Sequence, residues 1–232
     1  MSDPRGEEIA ANLAEVRERI GAAARAAGRD PAELTLVAVT KTFPVADARR
    51  LVELGVADLG EARDQEAKVK ARELPEARWH FVGRLQRNKA GSVAAYAAVL
   101  HSFDRAELIT PLANGVRRHG RDPLDVLIQV SLDGDPDRGG APIDGVEALA
   151  AEAAATGLLR PAGVMAVAPM DADPGAAFAT LRQVAERLRS AYPEATVISA
   201  GMSADLEAAV QNGATHLRIG TALLGGRPPL RR

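Results

Sequence analysis

The chain has no cysteine among its 232 residues, which excludes disulfides, thiol nucleophiles and thiolate-held metals and fits a reducing compartment. Aromatics are scarce, with one Trp, two Tyr and four Phe, so large anchors are few and small side chains must pack closely. Neither sign of charge dominates: 29 basic against 31 acidic residues leave −2, which gives no electrostatic case for nucleic acid as main partner. No apolar run approaches a membrane span. The start, Met1-Ser2-Asp3-Pro4-Arg5-Gly6-Glu7-Glu8, lacks the apolar centre of a secretion signal. These absences lead to the expectation of a soluble, cytoplasmic protein. Linker-like and low-complexity tracts are also missing, so the expectation is one domain over residues 1–232.

What is present is an alternation. Ile9, Leu13, Val16 and Ile20 recur at helical steps over residues 9–27, with Gly28 as a stop and Pro31 blocking continuation. Leu34-Thr35-Leu36-Val37-Ala38-Val39-Thr40-Lys41 then reads as a buried strand, and a helix follows from Pro44 to Gly55. The same unit recurs: strands over 56–60, 79–83, 98–102, 124–130, 162–167, 196–199 and 215–219, with helices over 61–73, 88–96, 104–119, 142–156, 176–191 and 203–212. Ser203 is expected to cap the last of these helices, and Asp104 the one it opens. Strict alternation requires a parallel sheet covered by helices, and eight strands favour closure. The expected fold is a single (β/α)8 TIM barrel with an extra N-terminal helix.

In such a barrel the chemistry sits at the C-terminal strand ends, and phosphate commonly binds near strands seven and eight. Lys41 ends the first strand. It is either a surface lysine or a desolvated amine able to form a Schiff base. After strand seven, Gly201-Met202-Ser203 offers a tight turn, backbone amides and a hydroxyl that either simply caps the helix or binds an anion. After strand eight, Gly220 permits close backbone approach and Thr221 adds a hydroxyl. Alternation puts Leu217 and Ile219 on one face and Arg218 on the other, inside the barrel, where a guanidinium needs an acceptor: an internal carboxylate, or a ring nitrogen or anion of a ligand. His80 reads as a satisfied core histidine or as part of a ligand's surroundings. His101, His119 and His216 share no ligand spacing with carboxylates, so no metal is expected. Arg84, Arg87 and Lys89 form a solvated face or a docking surface.

Several segments taken together resemble the pyridoxal phosphate homeostasis proteins, whose barrel is similar to the N-terminal domain of alanine racemase. They are Ala38-Val39-Thr40-Lys41-Thr42, Leu59-Gly60-Glu61 with Gln65-Glu66-Ala67, Trp79-His80-Phe81-Val82-Gly83-Arg84-Leu85-Gln86-Arg87-Asn88-Lys89, His101-Ser102-Phe103-Asp104, Gly201-Met202-Ser203-Ala204-Asp205-Leu206-Glu207-Ala208-Ala209 and Arg218-Ile219-Gly220-Thr221-Ala222. They run in family order over nearly the whole chain. The resemblance implies pyridoxal 5′-phosphate (PLP) as cofactor, bound as an internal aldimine to Lys41. It implies that Ser203, Gly220 and Thr221 contact the phosphate with the Met202–Ser203 backbone, and that Arg218 meets the pyridine nitrogen.

The chain departs from that pattern twice. Gly60-Glu61-Ala62 stands where the family usually has Gly-Glu-Asn, which predicts weaker retention or altered tilt of the cofactor. Arg138, in the polar loop Asp137-Arg138-Gly139-Gly140, stands where many relatives carry Lys, so a second lysine contact is not expected there. The resemblance implies a non-catalytic protein that buffers or delivers PLP in vitamin B6 and amino-acid homeostasis. Apo PLP-dependent enzymes are candidate partners. Lacking the racemase's second domain, the chain is expected to be a monomer. The competing expectations are a weak PLP-dependent racemase or lyase, and a cofactor-free Schiff-base aldolase acting on a phosphosugar. Tyr96 and Tyr192, the only tyrosines, are not placed at strand ends, which disfavours a two-base racemase.

Overall fold

A computed structural model of the chain describes residues 3–135 and 138–226. Asp137 of the polar loop and the tail Arg227-Pro228-Pro229-Leu230-Arg231-Arg232, expected to fray, lie outside the described residues.

Eight parallel strands close in sequential order, the eighth pairing back to the first. They are β1 Thr35–Val39, β2 Asp58–Glu61, β3 Arg78–Phe81, β4 Val99–Phe103, β5 Leu124–Gln129, β6 Leu159–Met165, β7 Val197–Ser199 and β8 His216–Ile219. Closure is set by Val37 pairing with Arg218 and Ala38 with Ile219. Between them run α2 Val45–Glu53, α3 Asp64–Glu73, α4 Ala90–Val93, α5 Ile109–Arg118, α6 Val146–Ala154, α7 Pro174–Ala191 and α8 Leu206–Gln211, with a short α9, Thr221–Leu224, after β8. The strands read as apolar runs because outward side chains pack under helices while inward ones fill the barrel. Leu217 and Ile219 join the main core, whereas Val99, Leu127, Ala162 and Met165 form a separate small cluster.

The extra helix, α1, spans Pro4–Ala26 and starts five residues earlier than apolar spacing predicted. Its start is fixed by a cap, not by burial: the Asp3 side chain accepts from the Gly6 N–H and Pro4 stands at the first turn. Ile9, Leu13, Val16 and Ile20 are buried as expected. Arg5 and Asn12 donate to the carbonyls of Leu224 and Leu223, at 2.9 and 3.0 Å, and so fasten the short helix after β8.

Three local expectations are corrected. Glu61 belongs to β2 rather than to the following helix, because its carboxylate is held inside by Lys70 and Thr40. Asp104 does not cap a helix: it pairs with Arg105 and accepts from the Gly140 N–H at 3.4 Å, while the helical segment opens with a 3-10 turn, Ala106–Leu108. The helix expected over 88–96 shrinks to a 3-10 turn, Arg87–Lys89, and α4. There the neighbouring helix comes close: a Cβ on Gly115 would stand 2.7 Å from that of Ala94.

Candidate functional site

Lys41 is half-buried, two residues beyond the end of β1 at the C-terminal barrel face. The backbone around it is tied down on every side. Thr40 extends the ladder by donating its N–H to the Gly60 carbonyl at 2.9 Å, and its hydroxyl donates to Glu61 Oε1 at 2.8 Å. The Thr40 carbonyl accepts from the Phe43 N–H at 3.1 Å and from Lys70 Nζ at 2.8 Å. Lys70 also forms an ion pair with Glu61, both side chains being nearly inaccessible. Thr42 takes a φ of 71°, a left-handed conformation that a β-branched residue rarely adopts. Its N–H donates to Glu66 Oε2 at 3.0 Å. Burial raises the Glu66 carboxyl, but the Thr42 N–H and Arg63 outweigh it and leave Glu66 below its ordinary value, ionised and able to hold the strained turn.

The loops after β7 and β8 lie on the same face. Gly201, at φ 90°, turns so tightly that a Cβ would lie 2.7 Å from that of Ala209. Ser203 is not a helix cap: α8 begins three residues later, because Asp205 Oδ1 takes the Met202 N–H at 2.6 Å and closes the turn first. The Met202 amide, expected to face a ligand, is engaged by Asp205 in this structure. The amides of Ser203 and Ala204 have no protein acceptor among the described residues. After β8, Gly220 passes close to β1, where a Cβ would stand 3.2 Å from the Val39 carbonyl oxygen. The Thr221 and Ala222 amides open the short helix beyond it.

Arg218 points into the barrel as alternation required, with 6% of its surface exposed. Its partners are not carboxylates. Nη1 donates to Ser199 Oγ at 2.6 Å and Nη2 to the Ala166 carbonyl at 2.9 Å. Burial pulls the guanidinium down to about 10, opposed by the charge of Asp205, so it stays protonated at neutral pH. Its remaining N–H groups have no protein acceptor among the described residues.

His80 takes the first of its two expected roles, a satisfied core histidine. Its ring contacts Asp58 Oδ1 at 2.7 Å through Nε2 and His101 Nε2 at 2.8 Å through Nδ1. Both nitrogens are committed inside the barrel, so neither is left for a ligand. His101 Nδ1 in turn meets Ser199 Oγ at 2.9 Å. Desolvation lowers His80 despite Asp58, and lowers His101 well below its ordinary value, with His80 adding to the effect; both rings are therefore neutral. His216 packs nearby, its ring centroid 6.1 Å from that of His80. Sequence reasoning missed His101 and Ser199. The available signal was polar residues at inward positions of strands buried on both faces.

At the rim, Ala62 lines a cavity of about 280 Å³ with Arg63, Gln65, Arg84 and Lys89. Gly83 is required there, since a Cβ would fall 2.1 Å from the Ala62 carbonyl oxygen. Part of the expected basic cluster therefore faces this cavity, while Arg87 is exposed. Arg138 is engaged elsewhere, donating to the Val167 and Ala168 carbonyls at 3.1 and 2.9 Å. Tyr96 lies beyond α4, where burial, with Asp64 nearby, raises its hydroxyl and disfavours a role as base. Among the described residues no group of three His, Cys, Asp or Glu side chains could hold a metal ion. No helix among them is long and apolar enough to cross a membrane.

Against known proteins, residues 7–228 match the family model described as alanine racemase, N-terminal domain. The chain is 42% identical to the pyridoxal phosphate homeostasis protein of Mycobacterium tuberculosis, over 96% of this chain and 94% of that one. It is 38% identical to the protein of the same name in Escherichia coli, over 95% and 97%. The structure of PipY from Synechococcus elongatus, solved with PLP bound, is 32% identical in sequence and superposes with a TM-score of 0.81, covering 94% of this chain and all of PipY.

Proposed function

The chain belongs to the pyridoxal phosphate homeostasis proteins, within the alanine racemase N-terminal domain family, and on that premise we propose that it binds PLP on Lys41 and holds it for delivery rather than for turnover. The observation that carries this reading is the donor set. A half-buried lysine, unspent amides at residues 203–204, the hydroxyls of Ser203 and Thr221, and a buried guanidinium with free N–H groups all belong to one barrel face. Those donors suit an aldehyde, a phosphate and a ring nitrogen, the three polar handles of PLP.

When bound, PLP supplies an aldehyde that condenses with a primary amine, with loss of water. The protein's contribution is positional. Thr40, Glu61, Lys70 and Glu66 fix the backbone that carries Lys41. The amides beyond Gly201 and Gly220 receive the phosphate. Arg218 donates to the pyridine nitrogen and leaves it unprotonated, since a guanidinium at about 10 keeps its proton at pH 7. A ring held that way is a weak electron sink, which suits storage over carbanion chemistry. The basic cavity beside Ala62 is the surface we assign to recipient enzymes, and the chain acts as a monomer in the cytoplasm.

A slow racemase or lyase is the second reading, favoured by the racemase domain match. The deciding experiment is the visible spectrum of purified protein before and after borohydride, beside Lys41→Ala. The expected result is a yellow band that borohydride removes and the variant lacks, with one PLP per chain. Stoichiometric PLP also eliminates the phosphosugar aldolase. A colourless protein that cannot be reconstituted refutes the proposal. Sustained turnover of one amino acid, lost in Lys41→Ala, replaces the carrier with the enzyme.

A further inference from the structure

A continuous line of hydrogen bonds crosses the barrel interior. It runs from Arg218 to Ser199 Oγ (2.6 Å), to His101 (2.9 Å), to His80 (2.8 Å) and to Asp58 (2.7 Å). Asp58 is the first residue of β2, so it stands at the N-terminal mouth, opposite the face that carries Lys41. There it meets a lattice of charges: Arg78 lies 3.8 Å from Asp58 and 3.7 Å from Asp125, which Arg160 also holds.

The ends of this line dictate its direction. Arg218 can only donate. Asp58 can only accept while ionised; burial opposes ionisation, but its bond to His80, with Arg78 and His216 near, brings the carboxyl below its ordinary value. His80 must therefore carry its proton on Nε2, facing Asp58. Being neutral, it accepts at Nδ1. His101 must then donate from Nε2 and accept at Nδ1. Ser199 must donate its hydroxyl hydrogen to His101, which turns an oxygen lone pair toward Arg218. Every donor points the same way, from the guanidinium to the carboxylate, and one tautomer of each ring satisfies all the bonds.

We propose that Ser199, His101, His80 and Asp58 are positioning residues for Arg218, forming a one-directional relay by which a carboxylate at the far mouth of the barrel orients the guanidinium for a pyridine nitrogen. The relay orients a buried cation, whose nearby negative charge is that of Asp205, without placing a carboxylate in hydrogen-bond contact with it. A carboxylate in contact with the guanidinium would compete with the ring nitrogen for its N–H groups; a serine oxygen occupies one of them and leaves others available. The consequence for the ring rests on the PLP reading above, whereas the relay itself belongs to the chain without cofactor.

The two are tested separately. Nitrogen-15 NMR of histidine-labelled protein, without cofactor and at neutral pH, is expected to show His80 and His101 both as neutral Nε2–H tautomers. In Asp58→Asn the amide can offer either its oxygen or its NH2 to His80, so direction is no longer imposed. A measurable Nδ1–H population should then appear at His101, which Asp58 does not touch. A merely structural role for Asp58 would leave that signal unchanged. Ser199→Ala cuts the relay at its last link and is expected to raise the PLP dissociation constant about tenfold and shift the absorption maximum, with Lys41 still trapped by borohydride. An Nδ1–H tautomer or an imidazolium in the wild type overturns the relay, as does an unchanged His101 in Asp58→Asn. Unaltered PLP affinity and spectrum in Ser199→Ala overturn its role toward the ring. A wild type that takes up no PLP sinks the cofactor reading and the ring's part of this proposal together, while the tautomers still decide the relay.

Discussion

Replacing Lys70 with Met is the sharpest test of how the chain fixes the backbone beside Lys41. Lys70 Nζ bridges Glu61 Oε1 and the Thr40 carbonyl, with side-chain exposures of 6% for Lys70 and 1% for Glu61. Water cannot screen such a pair, and Glu61 Oε2 already has no hydrogen-bond partner among the described residues. Lys70→Met fills a similar volume but leaves a carboxylate buried with one hydroxyl donor, from Thr40. Removing one partner of a buried pair typically costs about 3–5 kcal/mol, against about 1 kcal/mol or less for an exposed pair. At about 2–4 °C per kcal/mol for a chain of this size, Tm should fall by roughly 10 °C. The assay is urea unfolding of the wild type, Lys70→Met, Glu61→Gln and the double variant. Glu61→Gln in the Lys70→Met background should recover more than half of the loss, because a neutral amide no longer demands a cation. The reasoning fails if Lys70→Met costs about 1 kcal/mol or less, or if the double variant is no more stable than Lys70→Met alone.

Further outcomes follow from other parts of the molecule. Desolvation, with His80 adding to it, holds His216 at about 4 against an ordinary 6.5, so the unfolded chain takes up a proton first as pH falls. Stability should therefore drop between about pH 6.5 and 4 by roughly 3 kcal/mol from this group, and acid titration of His216→Gln should show a shallower limb. Gly163 has a φ of 151°, and a Cβ there would lie 1.9 Å from the Val197 carbonyl oxygen in the β6–β7 ladder. Gly163→Ala should cost more than about 2 kcal/mol in denaturant unfolding; a change within about 0.5 kcal/mol would mean that the strands part freely. Ala62→Asn places an amide at the rim cavity, and one added hydrogen bond worth about 1 kcal/mol should slow PLP loss during dialysis about fivefold.

Much of this protein was legible before any coordinates. The alternation of apolar runs with amphipathic stretches set the barrel, since hydrophobic periodicity is a local property of the chain. Lys41, Gly201 and Gly220 fall at strand ends, where that fold presents chemistry, and Arg218 lies at an inward position between Leu217 and Ile219. Local spacing failed where a neighbouring side chain closed the turn first, or where the loop after another strand claimed the capping carboxylate. Ser203 looked like a cap until Asp205 took the Met202 amide, and Asp104 looked like one until it turned to Arg105 and Gly140. The partners of Arg218, the hydrogen-bonded line to Asp58 and the Lys70–Glu61 clamp could not be read along the chain. Their members come from β2, β3, β4, β7, β8, α3 and the residues just past β1 and β6, and only closure of the barrel brings them within hydrogen-bond distance. Burial then decides their protonation: His80 and His101 are neutral because the interior excludes water, a property that belongs to the folded shape and not to either residue.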